Sequence, residues 1–284
     1  MIKNQIKTVI LLGMLTGLLI GAGNLLGGKN GLILGLVFAV IINFGAYWFS
    51  DRIVLAMYRA KEIKHSDNPE LYNLVKEVSQ LANLPMPKVY IVPTNVLNAF
   101  ATGRNKNHAA VAVTHGILDK LSKDELKGVI AHEMAHIKNK DTLIQAISAT
   151  IAGVISYLAF FARFAAIFGG GRDRDGGNIF ELLALAIITP IIATLIQLAI
   201  SRSREYLADE TGAKTIHNPY ALADALEKLE ESKKHYSMRF SSTTQATAHL
   251  FIINPLRKSS GLINLFSTHP NIDSRIERLR SMSF

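Results

Sequence analysis

No cysteine occurs anywhere in the 284 residues. That excludes disulfides and thiolate metal ligands, so a metal site in this chain rests on His, Asp or Glu. Internal repeats and low-complexity segments are also missing, which leaves no basis for a repeat array. Acid is in short supply: 22 Asp and Glu face 31 Lys and Arg, for a formal net charge of +9. Nucleic acid would account for such an excess. The basic residues, however, flank apolar runs and form no patch interleaved with aromatics. The anionic inner leaflet of a membrane accounts for them better. What the chain has in quantity is apolar side chains, 49% of the total, with positive mean hydropathy. A membrane protein is expected.

The chemistry is concentrated in residues 128–141, GVIAHEMAHIKNKD. Here His132, Glu133 and His136 stand at H-E-x-x-H spacing. A helix puts residues four apart on one face, so both imidazoles can hold one metal ion. Glu133, one residue on, can reach a water on that ion. A zinc hydrolase needs this set: two neutral imidazoles, an open metal position, and a carboxylate to take a proton from water. Ser122 with Glu125 predicts a capping box at the helix start. Val129, Ile130 and Ala131 continue an apolar face beside the histidines. The motif is short and recurs by chance in unrelated helices, so the rest of the chain has to decide.

Residues 6–26 are apolar behind Lys3 and Lys7. The small residues Gly21, Ala22 and Gly23 would also suit a cleavable signal peptide. A second apolar run, 31–49, follows after only a short turn at 27–30, and two runs so closely joined predict a transmembrane hairpin. Tyr47 and Trp48 sit at its end, where interfacial aromatics belong. A soluble segment begins at Asp51. Asn68 and Pro69 read as a helix N-cap and first-turn proline. Leu71, Val75, Val78 and Leu81 then recur at helical spacing. Residues 88–92 and 109–114 read as short strands. Residues 98–103, NAFATG, read as a third strand or a loop. Two further apolar runs, 143–162 and 179–200, flank a glycine-rich loop at 169–178, and Pro190 should kink the second of them. Residues 236–268 match no role, although 248–253 are apolar. Ile272, Ile276 and Leu279 predict a short amphipathic terminal helix.

A site with two histidines needs a third ligand. If the chain folds back near Gly170, His136 falls opposite Glu205. Each arm is then about 30 residues, or roughly 45 Å of helix, which crosses the hydrocarbon core and leaves about 10 Å beyond it. Two helices should leave the membrane side by side, one with His132 and His136, the other with Glu205 and Asp209. Glu205 would complete a His2Glu set with water as fourth ligand. Asp209, one turn on, would accept the free N–H of a ligand histidine. Glu210 is the rival ligand.

Together, H-E-M-A-H at 132–136, E-Y-L-A-D at 205–209, N-A-F-A-T-G at 98–103 and the S-T-H-P…R pattern at 267–275 resemble the HtpX family. These are bacterial and archaeal membrane zinc metalloproteases related to the CAAX prenyl proteases. The resemblance runs over nearly the whole chain. It implies one zinc per subunit and a cytoplasm-facing protease that clears misfolded or damaged inner-membrane proteins. The expected partners are membrane-protein and unfolded polypeptide substrates and the lipid bilayer, with no nucleic acid. Asn98, Ala99, Phe100, Ala101 and Thr102 would form the edge strand along which substrate lies. His269 and Arg275 would approach the oxyanion or the substrate backbone.

The expected architecture is mainly α. Four transmembrane helices would carry a cytoplasmic, zincin-like α+β catalytic domain with a small sheet. A hairpin (1–50) precedes the first part of that domain (51–142). A second hairpin (143–200) precedes its second part (201–284). His65, His108, His115, His217, His235 and His249 lack ligand spacing and read as surface or core residues. Two other classes stay open. An intramembrane metalloprotease would have to submerge Lys123, Asp124, Glu125, Lys127, Lys138 and Lys140, a costly placement. A scaffold or transporter with a structural metal would want four protein ligands, and three are identified.

Overall fold

The computed structural model describes residues 2–168, 202–233, 250, 252 and 270–283. Helix α1 (Ile2–Met57) is 56 residues of helical backbone. Straight, it would reach about 84 Å. Yet Asn43 Nδ2 donates to Thr16 Oγ1 at 2.7 Å and to the Leu12 carbonyl at 3.3 Å. The chain therefore doubles back. It turns at Gly28, whose φ of +56° suits glycine. A Cβ on Gly23 or Gly31 would collide with the other's carbonyl oxygen, so only bare backbone lets the two arms come this close. The two arms thus form a helical hairpin, with Asn43 as a polar link between them.

A four-stranded sheet follows. Its strands are β1 (Lys61–Ile63), β2 (Lys88–Val92), β3 (Ala99–Gly103) and β4 (Ala109–Thr114), in the order β1-β2-β4-β3. Strands β2 and β4 are parallel, and β3 runs antiparallel to β4 with Ala101 opposite Val111. The segment that read as strand or loop is a strand, and it lies at the sheet edge. β1 went unpredicted because three residues are too few to show alternation.

Helix α2 (Pro69–Leu81) starts as expected, with Asn68 Oδ1 accepting from the Leu71 amide at 3.0 Å. After α3 (His115–Lys120), α4 (Lys123–Lys138) opens with the predicted capping box between Ser122 and Glu125. Lys228 adds an ion pair to Glu125 at 2.7 Å. Burial pushes the Glu125 carboxyl up, but Lys228 and Ser122 outweigh it and hold it below the usual range. Then come α5 (Thr142–Phe168), α6 (Arg202–Ile216), α7 (Pro219–Lys233) and α8 (Ile272–Arg280).

Both faces of the sheet are covered. On one side Val75, Val78, Val111, Val129, Ile130 and Leu226 form a core with α2, α4 and α7. Each such side chain, fully buried, contributes about 1.5–3 kcal/mol. On the other side Val54, Phe100, Ala112 and Ala146 pack together. A third cluster, with Leu11, Leu15, Ile144, Ile147 and Ile151, joins the hairpin to α5. Helix α5 is thereby held between sheet and hairpin.

The architecture is mainly helical with a small mixed sheet. Among the described residues only Gly28–Met57 is both long and apolar enough to cross a membrane. Ile6–Gly21, within α1, and Thr142–Ile155, within α5, are further apolar helical stretches. Residues 179–200, the fourth expected span, lie outside the described residues.

Candidate active site

Helix α4 presents His132, Glu133 and His136, and α6 brings Glu205 and Asp209 against it. Gly212 makes this possible. A Cβ there would stand 2.9 Å from both the Ala131 carbonyl carbon and the His132 amide nitrogen. The two backbones nearly touch beside the first histidine.

The imidazoles converge. His132 Nε2 and His136 Nε2 are 3.2 Å apart. Glu205 Oε2 lies 3.7 Å from the former and Oε1 3.6 Å from the latter. One ligand atom from each of the three residues falls within 4.8 Å of the others, and all three residues are buried. The outer nitrogens face carboxylates. His132 Nδ1 is 2.9 Å from Asp209 Oδ1, with the ring turned off the line of a straight hydrogen bond. His136 Nδ1 is 3.3 Å from Asp141 Oδ2. Carboxylates on both Nδ1 atoms favour protons there and leave lone pairs on both Nε2 atoms. With both rings neutral, two lone pairs and a carboxylate are aimed at one point, where a metal cation offsets their repulsion. The donor set therefore fits a divalent metal.

Burial pushes the Glu133 carboxyl up, and the neighbouring histidines offset part of this. Its Oε2 accepts a hydrogen bond from the Ala101 amide at 2.7 Å, which ties the helix to the edge strand. His136 is pulled two ways. Burial lowers it, but the Asp141 hydrogen bond and the charges of Glu205 and Glu133 win and raise it to about 9. Burial would raise Asp209 too, yet Arg275 holds it below the usual carboxylate range.

Arg275, which the resemblance places near the oxyanion or the substrate backbone, lies against the carboxylates of the site. It is 0% exposed. Nε and Nη2 donate to Asp209 at 2.8 and 2.7 Å, and Nη1 donates to the Ile252 carbonyl at 3.2 Å. Nη1 also lies 3.7 Å from Glu205. The guanidinium thus braces the carboxylates from behind. His269 lies outside the described residues.

In β3 the side chains of Phe100 and Thr102 are buried, and Phe100 packs on Tyr58 at 5.0 Å. The Asn98 carboxamide donates to the Leu250 carbonyl and accepts from the Ile252 amide. Asn98 thereby holds the segment whose carbonyl Arg275 reaches. The Asn98 carbonyl accepts from the Thr114 amide, so alternation turns the main-chain groups of Ala99, Ala101 and Gly103 away from β4. Thr142 Oγ1 donates to the Gly103 carbonyl at 2.8 Å.

Asp141 and Arg204 escaped the sequence reading. Helix α4 ends in a Schellman turn: the Lys140 amide bonds the Ile137 carbonyl, and the Asp141 amide bonds the His136 carbonyl. That turn returns Asp141 to His136. Its left-handed position is usually glycine but here is Lys140, at φ +61°, so the helix end was unmarked. Arg204 Nη1 stands 3.9 Å from Asp141 Oδ1.

Two convergent imidazoles, a carboxylate from a second helix and a glutamate against a sheet edge are the equipment of a metallopeptidase. Residues 65–283 match the model of Peptidase family M48, and the chain belongs to that family. Its enzyme class, a zinc-dependent metallopeptidase, follows. The chain is 54% identical to "Protease HtpX homolog" of Syntrophobacter fumaroxidans, over 98% of this chain and 99% of that one. It is 53% identical to the protein so named from Pyrococcus furiosus, over 98% and 96%. The resemblance to HtpX-type proteases is borne out. In fold the chain is similar to Ste24p of S. mikatae, with TM-score 0.51 and 18% identity, covering 98% of this chain and 66% of that one.

Proposed function

We propose that this is a membrane-integrated endopeptidase that cuts misfolded or damaged membrane proteins at the cytoplasmic surface. His132, His136 and Glu205 hold one zinc, and Glu133 is the general base. The convergence of the two Nε2 atoms on Glu205 beside Glu133 carries this reading. Bound there, zinc polarises the scissile carbonyl and acidifies water. Glu133 takes the proton of the attacking water and returns it to the leaving amine. Its raised pKa suits a group that must both accept and give up that proton. Asp209 and Asp141 keep the imidazoles turned inward, and Arg275 keeps Asp209 in place. An extended substrate adds to β3 through the outward groups of Ala99 and the outward carbonyl of Ala101, a mode that asks little of sequence.

Membrane integration is supported by the second arm of α1, where Ile33, Leu34, Phe38, Val40, Ile41 and Phe44 are all more than half exposed. Water does not tolerate an apolar belt of that length. The reading keeps four spans in two hairpins, 1–50 and 143–200, and a catalytic domain assembled from 51–142 and 201–284. Cytoplasmic placement rests on the lysines and arginines at one end of the apolar runs.

The experiment is metal content and casein cleavage, measured side by side for wild type and Glu133→Gln. The variant should hold its metal and lose proteolysis. A variant that cuts as fast as wild type would show that Glu133 is not the base.

A further inference from the structure

A cavity of about 600 Å³ lies where the N-terminal hairpin, the loop after β3 and the α4–α5 junction meet. None of its lining residues belongs to the metal site. Its wall has two characters. Arg104, Lys106, Lys138 and Lys140 supply four cations, and among the described residues no carboxylate lines it. Val9 and Leu143, at the starts of two apolar helices, supply an apolar side. Arg104 is fixed in place: its guanidinium lies over the Trp48 ring at 4.7 Å, and Nη1 donates to the Trp48 carbonyl at 3.4 Å.

Cations at a helix C-terminus are ordinary, because they answer the negative end of the helix. That covers Lys138 and Lys140. It does not cover Arg104 and Lys106, which come from the loop after β3 and line the same cavity. A concave site with four cations concentrates anions. A free anion has no use for the apolar side. A phospholipid uses both, with its phosphodiester among the cations and the root of an acyl chain against Val9 and Leu143. Tyr47 on the wall, next to Trp48, is the kind of aromatic that settles at headgroup level. We propose that this cavity binds the headgroup of an anionic phospholipid and so fixes the height of the catalytic domain over the bilayer.

The inference rests on the membrane placement proposed above. A chain that fractionates away from membranes fails that placement. A membrane-extracted chain without lipid preference fails this inference alone.

The test is native mass spectrometry of the full-length protein, extracted in mild detergent and offered phosphatidylglycerol or phosphatidylcholine. Wild type should retain phosphatidylglycerol in preference, and Lys106→Gln with Lys138→Gln should lower that retention on the order of tenfold or more. Both lysines are exposed, so the fold should survive their loss. Lys120→Gln with Lys123→Gln removes equal charge near the far end of α4 and should leave retention unchanged. Inorganic phosphate at millimolar concentration should not displace the lipid. Equal retention of the two lipids, equal loss in both double variants, or displacement by phosphate would each overturn the proposal, the last by assigning the cavity to free anions.

Discussion

Arg275, fully buried, grips Asp209 with two nitrogens at 2.8 and 2.7 Å. Asp209 in turn lies 2.9 Å from the outer nitrogen of His132. Three elements far apart in sequence thereby set the direction of one imidazole. Arg275→Lys keeps the charge but loses the planar fork. It should weaken metal affinity by about 10- to 100-fold, as should Asp209→Ala. Glu205→Ala should lose the metal almost entirely. Competition against a zinc-chelating dye reads all three. Unchanged affinity in Glu205→Ala would move the third ligand elsewhere, with Glu210 next in line. Unchanged affinity in Arg275→Lys would separate Arg275 from the site.

Metal uptake should release protons. Without metal, the carboxylates around His136 hold it protonated up to about pH 9. A metal needs the neutral ring, so proton and metal compete. The sign follows: apparent affinity should tighten as pH rises from 6 to about 9 and then level off. Calorimetry at pH 7 in buffers of different ionisation enthalpy counts the protons. A binding heat independent of buffer would show that His136 is already neutral.

The helices of the catalytic segment and their caps were readable because short-range chemistry specifies them. Ser122 with Glu125, and Asn68 with Pro69, fix helix starts within four residues of chain. The metal motif sits within one helical turn for the same reason. Glu205 was reachable only through the length of two apolar arms, a long-range argument. The partner of His136 was not reachable, because a lysine occupies the left-handed turn that delivers Asp141. Nor did sequence separate the facing of Arg275 from its presence. A side chain that braces a carboxylate and one that meets substrate carry the same letter.

Absence of cysteine makes the topology open to a clean test. Single cysteines at Ser66 and Asn178 should label from opposite sides of the membrane. Lys3, Lys7, Arg52, Arg59, Lys61, Lys64, Lys138, Lys140, Arg202 and Arg204 flank the proposed inner ends of the four runs. Only Lys29, Arg163, Arg172 and Arg174 lie near the outer ends, and the positive residues set orientation. Labelling of both cysteines from one side would sink the arrangement of two hairpins.

The placement of the site also limits what can be cut. Leu143, where the apolar run begins, comes seven positions after His136. Part of that interval is the turn at Lys140, so in the proposed placement the metal residues would stand no more than about 10 Å above the hydrocarbon edge. An extended substrate covers about 3.3 Å per residue, and so some three or four residues climb from bilayer to site. A few more must lie along β3, itself five residues long. A loop tethered at both ends must also return. Cytosolic loops shorter than about ten residues should therefore resist cleavage, whereas longer loops and frayed helix ends should be cut close to the membrane surface. Model two-span substrates that differ only in loop length, incubated with the enzyme in liposomes, measure this directly. Efficient cutting of a four-residue loop between intact helices would contradict a site raised above the bilayer. Cleavage mapped to the middle of a span would do the same, and would return the intramembrane reading to favour despite the charges that surround α4.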